Sequence, residues 1–315
     1  MAEAIELRGL TRWYGKRRGV LDLDVDVHEG EVFGFLGPNG AGKTTTIRTL
    51  LGFLRPNGGR ASIFGLDVWA DAPALHRRIS YVGSEPGYLG ELTAADQLDY
   101  LAALRGLPRG AWRTMAERFE LDPDVQIRKL SRGNRQKIGV VQGFMGDAPL
   151  LVLDEPTSGL DPLMQREFLA VLSEIRQGGR TIFLSSHNLP EVERSCDRVG
   201  IIREGRLVEV STVQALMASH WRSVSLVLAQ PPAPGTFDLP NVQVASARAR
   251  DVHLMVRGDP NPLLQRIAAL DVHEISITTP EIEDIFLRYY DGSDTSPTDG
   301  DVAASAPESR SEVHP

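Results

Sequence analysis

The sequence predicts an α/β fold, a mostly parallel sheet covered by helices, and three observations predict it. From Glu31 to Ser186 short apolar runs alternate with amphipathic helical stretches, the pattern of strands joined by helical crossovers. The run "EVFGFLG" is strand-like and ends in glycine; "TTTIRTLLGFL" follows with helical spacing until Pro56, Asn57, Gly58 and Gly59 stop it. "LLVLDEP" is wholly apolar from Leu150 to Leu153 and closes on an acidic pair, as a doubly buried strand does when it ends at a ligand-binding edge.

The remaining elements follow in order. "TRWYGKRRG" places Trp13 and Tyr14 before the first strand pair. A helical insertion is expected over about residues 90–147: Thr93 and Asp96 form a capping box, and Leu98, Leu101 and Leu104 share one face of the helix that follows. "AWRTMAERFEL" repeats that pattern. "TIFLS" reads as a strand, "VGIIREGRLVEV" as a hairpin turning at Glu204 and Gly205, and Ser211 as the cap of a last helix running toward His220.

Residues 1–220 therefore form one domain, and the character changes near Trp221. "SVSLVLA", "VHLMVR" and "VHEISITT" read as strands, with "NPLLQRIAAL" and "PEIEDIFLRYY" as helices, so residues 221–290 are assigned to a small α/β domain. It carries no catalytic cluster, and His253 and His273 are expected to be solvated or hydrogen-bonded rather than metal-bound. Residues 291–315, acidic and rich in Ser, Pro, Gly and Ala, read as a disordered tail.

Composition narrows the function classes. With 315 residues, 42% hydrophobic and 24% charged, the chain has enough material for a large core. A net charge of −8 without a basic block argues against a nucleic-acid partner. Cys196 is the single cysteine, so neither an internal disulfide nor a cysteine metal site forms; a reducing cytosol and a buried thiol are expected. No signal peptide opens the chain, and no run of about 18 apolar residues occurs, so it is not expected to cross a membrane itself.

"GPNGAGKT" satisfies G-x-x-x-x-G-K-[ST] between a strand and a helix. The residues Gly37, Pro38, Asn39, Gly40, Ala41 and Gly42 form a loop whose backbone N–H groups converge on phosphate oxygens, helped by glycine conformations closed to other residues. The following helix, beginning with Lys43, Thr44 and Thr45, adds its positive end; Lys43 reaches the β and γ phosphates and the Thr44 hydroxyl ligates Mg²⁺. Asp154 completes the Mg²⁺ shell, and Glu155 polarises the attacking water. "FLSSHN" puts His187 at the end of another strand, within reach of the γ-phosphate or that water. A flat ring at Tyr14 or Trp13 suits stacking on adenine, packing being the stronger rival at Trp13.

The order of phosphate loop, "LSRGNRQ", "LLVLDEP", "SGLD" and "FLSSH" resembles the ATPase subunit of an ABC transporter, over about residues 4 to 220. The resemblance implies a P-loop NTPase core, ATP and Mg²⁺ as ligands, and two ATPase subunits closing head to tail, most simply a homodimer. It also implies that the signature segment of each subunit caps the nucleotide of the other. Ser131 fits such a role as an N-cap that presents helix N–H groups to an anion, with Gly133 allowing close approach. By the same resemblance Asn134 belongs to the signature, Asp161 to the loop coupling the halves, Tyr14 to the adenine and His187 to the switch position.

The signature departs from the common L-S-G-G-Q at Arg132 and Asn134, and the glutamine usual after the strand "ISYVG" is replaced by Ser84 and Glu85, either of which offers an oxygen. The C-terminal "PEIEDIFLRYY" and "RQKIGVVQ" are similar to the daunorubicin-resistance type of multidrug and antibiotic exporter ATPases. That similarity implies a separate transmembrane permease, docked by the helical region and the Ser84 loop, and peripheral location on the cytoplasmic face of the membrane. Two other readings remain: a soluble ABC ATPase working as a switch on ribosomes or DNA, and a regulatory module that binds ATP with little hydrolysis.

Overall fold

The structure, a computed structural model, describes residues 2–15, 17–84, 87–218 and 221–278. The "PEIEDIFLRYY" helix, the tail from 291 and Glu85 lie outside the described residues. The chain divides into two units after Gln214.

In the first unit β1 (Glu3–Tyr14) and β2 (Arg17–His28) form a long antiparallel hairpin, extended by β4 (Gly58–Ile63) and β5 (Leu66–Asp67) in the order β2-β1-β4-β5. Trp13 and Tyr14 therefore sit inside the first strand pair, at its turn, rather than before it. The central sheet contains β3 (Val32–Leu36), β6 (Ile79–Val82), β7 (Leu150–Asp154), β8 (Thr181–Ser186), β9 (Arg198–Arg203) and β10 (Arg206–Thr212), ordered β10-β9-β3-β8-β7-β6. Its neighbours from β9 to β6 are parallel and only the edge strand β10 is antiparallel. Parallel order brings the C-terminal ends of β3, β8 and β7 side by side, which is where such sheets bind ligands.

The core lies between the two sheets. Every residue of β3, β7 and β8 is buried, and the Phe183 ring stacks on Phe33 at 5.9 Å and meets Phe35, tilted, at 5.4 Å. Each such ring removed from water contributes about 1.5–3 kcal/mol, enough to fix the strands whose ends carry polar groups. Helix α1 (Lys43–Leu50) packs Ile47 and Leu50 into the same core. It is shorter than the sequence suggests, because Gly52 turns into the left-handed region at φ 69° well before Pro56.

After a short helix α2 (Ala72–Leu75), the helical insertion holds α3 (Ala94–Leu104), α4 (Arg113–Arg118), a 3-10 turn and α5 (Arg132–Phe144). The capping box forms as expected, Thr93 Oγ1 accepting the Asp96 N–H and donating to its carboxylate. The buried face of α3 is different from the expected leucine stripe: Ala94, Leu98 and Ala102 point inward at four-residue spacing, leaving Leu104 67% exposed. Helix α6 (Pro162–Gln177) precedes β8, and α7 (Leu189–Ser195) follows it. Glu204 and Gly205 make the β9–β10 turn, both at positive φ. Ser211 does not cap α8 (Val213–Ala218); it lies in the β10 ladder opposite Val199.

The second unit is an antiparallel sheet of β11 (Trp221–Leu228), β12 (Val242–Arg248), β13 (Asp251–Arg257) and β14 (Val272–Thr278), ordered β12-β13-β11-β14. Helix α9 (Asn261–Ala268) buries Leu263 and Ile267 in its core. Strand β12 was not legible in the sequence because most of it is exposed and its apolar alternation stops after Val242 and Val244, short alanines and a serine following. His253 shares a 3.0 Å hydrogen bond with Ser225, and His273 is exposed.

Candidate functional site

Gly37 follows β3 directly. A Cβ there would lie 2.6 Å from the Ile202 carbonyl oxygen, so this glycine is required by space rather than by φ. Gly42 is required by conformation, at φ 117°. It serves as the N-cap of α1 with no side chain capping the helix and no acidic residue in the first turn. The first N–H groups of α1 are thus left for an anion, at the positive end of the helix.

Lys43 is buried and folded along its own loop, Nζ donating to the carbonyl oxygens of Gly37 at 2.5 Å and Pro38 at 3.2 Å. The same nitrogen lies 3.3 Å from Glu155 Oε1. Glu155 Oε2 is 3.2 Å from His187 Nδ1, so the carboxylate is held between a lysine and a histidine. This posture has a backbone cause. Glu155 leaves β7 at φ 49°, a conformation costly for a side chain with a Cβ, while its N–H donates to the Ser185 carbonyl at 3.0 Å. The turn re-aims the side chain from the sheet toward the phosphate loop.

Asp154 ends β7 fully buried. Its Oδ1 accepts the Ser185 hydroxyl at 2.6 Å, whereas Oδ2 has no hydrogen-bond partner among the described residues. Burial pushes its carboxyl above the ordinary range, and the Ser185 and Thr44 hydroxyls pull the other way. A buried oxygen without a partner is costly unless something else coordinates it. The Thr44 and Asp154 oxygens are the hard donors that Mg²⁺ prefers, and Mg²⁺ needs few of them from protein. Among the described residues no group of three or more His, Cys, Asp or Glu offers a denser metal site.

A cleft of roughly 180 Å³ is lined by Tyr14, Arg18, Gly19, Pro38, Asn39, Gly40, Gly42, Lys43, Thr44, Thr45 and Glu155. Tyr14 stands at its rim, its hydroxyl 3.4 Å from the Thr45 hydroxyl and the Arg12 guanidinium over its ring. Trp13 is exposed as well, but does not line the cleft. Neither does Ser84, nor do Ser131, Gly133 and Asn134, which the resemblance assigns to the nucleotide of a second subunit, and Asp161, which it assigns to the loop coupling the halves.

The signature residues are instead tied to the loop after β7. Ser131 caps α5, Oγ accepting the Asn134 N–H at 3.2 Å. Gln136 Nε2 donates to the Pro156 carbonyl, and a Cβ on Gly133 would stand 2.5 Å from the Gly159 carbonyl oxygen. Gly133 therefore allows close approach within its own chain. Asp161 caps α6, accepting the N–H groups of Leu163 and Met164; the Met164 bond is the main cause holding its carboxyl below the usual range.

Ser185, Gln136 and Arg18 were not legible as site residues in the sequence. The signal for Ser185 was the serine pair closing the otherwise apolar "TIFLSS", which a buried strand carries only if the hydroxyls have partners. Arg18 and Gln136 gave no such signal.

Comparison with known proteins agrees with this geometry. Residues 20–158 match the family described as ABC transporter. The chain is 33% identical over 303 residues to the bacitracin transport ATP-binding protein BcrA of Bacillus licheniformis, covering 93% of this chain and 99% of the relative. It is 36% identical over 225 residues to the daunorubicin/doxorubicin resistance ATP-binding protein DrrA of Streptomyces peucetius, covering 69% and 67%. Among solved structures, an ATP-binding subunit of an ABC transporter is 31% identical with a TM-score of 0.63, covering 68% of this chain and 91% of the other. A cassette dimer bound to ADP and Pi, 18% identical with a TM-score of 0.61 over 66% of this chain and 98% of its own, shares the fold. The chain belongs to the ABC transporter family, as one of its ATP-binding, ATP-hydrolysing subunits.

Proposed function

We propose that this subunit powers a separate transmembrane permease that exports drug- or antibiotic-like amphiphiles, working as a pair of identical ATPase subunits on the cytoplasmic face of the membrane. The observation that carries the catalytic part is the Glu155 carboxylate, held 3.3 Å from Lys43 and 3.2 Å from His187 at the mouth of the phosphate loop. The export part rests on relatives named for bacitracin transport and for daunorubicin and doxorubicin resistance.

The phosphates lie on the N–H groups from Gly40 to Thr45, with Lys43 transferring from its loop carbonyls to the β and γ oxygens. Tyr14 stacks on the adenine. Glu155 takes a proton from the attacking water, and His187 holds the water and the γ-phosphate in register. Thr44 and Asp154 would hold Mg²⁺, which when bound would neutralise charge on the phosphate oxygens. Ser131, Gly133, Asn134 and Asp161 lie off this cleft and act on the nucleotide of a second copy, Ser131 presenting the start of α5 to the γ-phosphate. ATP then closes the pair and hydrolysis reopens it, which moves the permease between access states. Ser84 occupies the loop after β6, which together with the helical insertion would dock the permease.

Among the described residues no helix is long and apolar enough to cross a membrane, so the membrane-spanning partner is sought as another polypeptide. The test is affinity purification of this chain from gently solubilised membranes of its native host. One polytopic protein in near-stoichiometric amount is expected; ribosomal or DNA-associated partners alone would contradict the transport reading.

A further inference from the structure

His187 is the most exposed member of the catalytic group, its side chain 56% accessible, so packing does not hold it against Glu155. Its position is set by the residues on either side. The Ser186 hydroxyl accepts the Asn188 N–H at 2.9 Å, bending the chain at His187. Asn188 in turn caps α7, Oδ1 accepting the Glu191 N–H at 3.4 Å. The bracket closes on the Glu191 side chain, whose Oε2 accepts the Ser186 hydroxyl at 2.6 Å.

Glu191 is an unusual residue for such a task. It is 4% exposed, its Oε1 has no hydrogen bond among the described residues, and Thr157, from the loop after β7, is a second hydroxyl beside the carboxyl group. A solvated glutamate one turn into a helix has no reason to be inside; a buried one is kept by what it holds. Burial pushes its carboxyl above the ordinary range, against the Ser186 and Thr157 hydroxyls and His187, so a neutral side chain of the same shape suits the place.

We propose that Glu191 is a positioning residue for hydrolysis: through Ser186 and Asn188 it fixes the backbone that carries His187. The proposal rests on the catalytic roles given above to Glu155 and His187. A displacement of about 1 Å at a catalytic group costs on the order of a hundredfold in rate, so loosening this bracket is read in turnover rather than in nucleotide affinity.

The experiment uses the full chain: steady-state kcat and KM for ATP, binding of a fluorescent ATP analogue, and Tm, for Glu191→Ala, Glu191→Gln, Ser186→Ala, His187→Ala and Glu191→Ala with His187→Ala. Glu191→Ala is expected to lower kcat about tenfold or more with analogue affinity and KM within about twofold, and Glu191→Gln to recover at least about a third of turnover, since the amide oxygen still accepts from Ser186. Ser186→Ala breaks the bracket from the other side and is expected to match Glu191→Ala, which keeps the test valid if the latter fails to fold. With His187 already removed, Glu191→Ala is expected to cost nothing further, because it acts through that ring. Wild-type turnover in both Glu191→Ala and Ser186→Ala, parallel loss of binding and turnover, or an additive loss in the double variant would overturn the proposal. Full turnover in His187→Ala would instead remove the catalytic reading beneath it.

Discussion

Lys43 and Glu155 face each other across the cleft at 3.3 Å, one from the helix after the phosphate loop and the other from the end of β7. Three of the lysine's contacts are to Glu155 and to the carbonyls of Gly37 and Pro38. In the proposed mechanism phosphate oxygens replace them, so that Lys43 passes to the nucleotide and Glu155 is released to its water.

Asp154 is the proposed Mg²⁺ ligand, and its removal tests the orphaned oxygen. Asp154→Asn keeps an acceptor for Ser185 but loses the charge, and is expected to lower Mg²⁺-dependent turnover by about a hundredfold or more. Steady-state ATPase rates across a Mg²⁺ titration check this. An unchanged Mg²⁺ dependence would place the ion elsewhere.

In the proposed cycle the signature acts between copies. Ser131→Arg sets a bulky cation at the start of α5, where the structure places no residue of the cleft, so hydrolysis is expected to stop while a single subunit still binds ATP. Equilibrium binding at low protein concentration, beside a phosphate-release assay, separates the two. Collapse of single-subunit affinity would contradict the cross-copy role.

Gly133 is a steric prediction. A Cβ would meet the Gly159 carbonyl oxygen at 2.5 Å, backbone against backbone, so Gly133→Ala forces apart α5 and the loop after Glu155. The expected cost is about 1–3 kcal/mol in a urea titration, with reduced turnover. A neutral result would show that the loop yields freely.

Cys196 is buried, and burial pushes its thiol up to about 12. At pH 8 about one molecule in ten thousand then carries the thiolate that reacts. Native protein is expected to resist a thiol reagent that labels the urea-unfolded chain within minutes, read by mass spectrometry; fast native labelling would contradict the burial.

Much of this was legible in the sequence because the buried strands announce themselves. "VFGFL", "LLVLD" and "TIFLSS" are apolar runs ending in polar groups, and the structure sets those ends side by side. Tyr14, Lys43, Thr44 and Glu155 meet in one cleft as their motifs suggested. What the sequence could not show depends on distant contacts. Leu104 fits a helical stripe yet faces out, because Ala102 fills the inward place. Ser211 has the chemistry of a cap, but ladder pairing with Val199 claims it first. Glu191 reads as an ordinary helix carboxylate until its hydrogen bond to Ser186 is seen.

The most direct test of the central claim is Glu155→Gln. The amide keeps the shape of the carboxylate between Lys43 and His187 but cannot accept the water's proton. Turnover is expected to fall by about 10²–10⁴-fold with ATP binding retained, and a dimer is expected to accumulate in Mg²⁺-ATP on size-exclusion chromatography. Near-normal hydrolysis by the Glu155→Gln protein would contradict the account, because the proton would then be taken by another group.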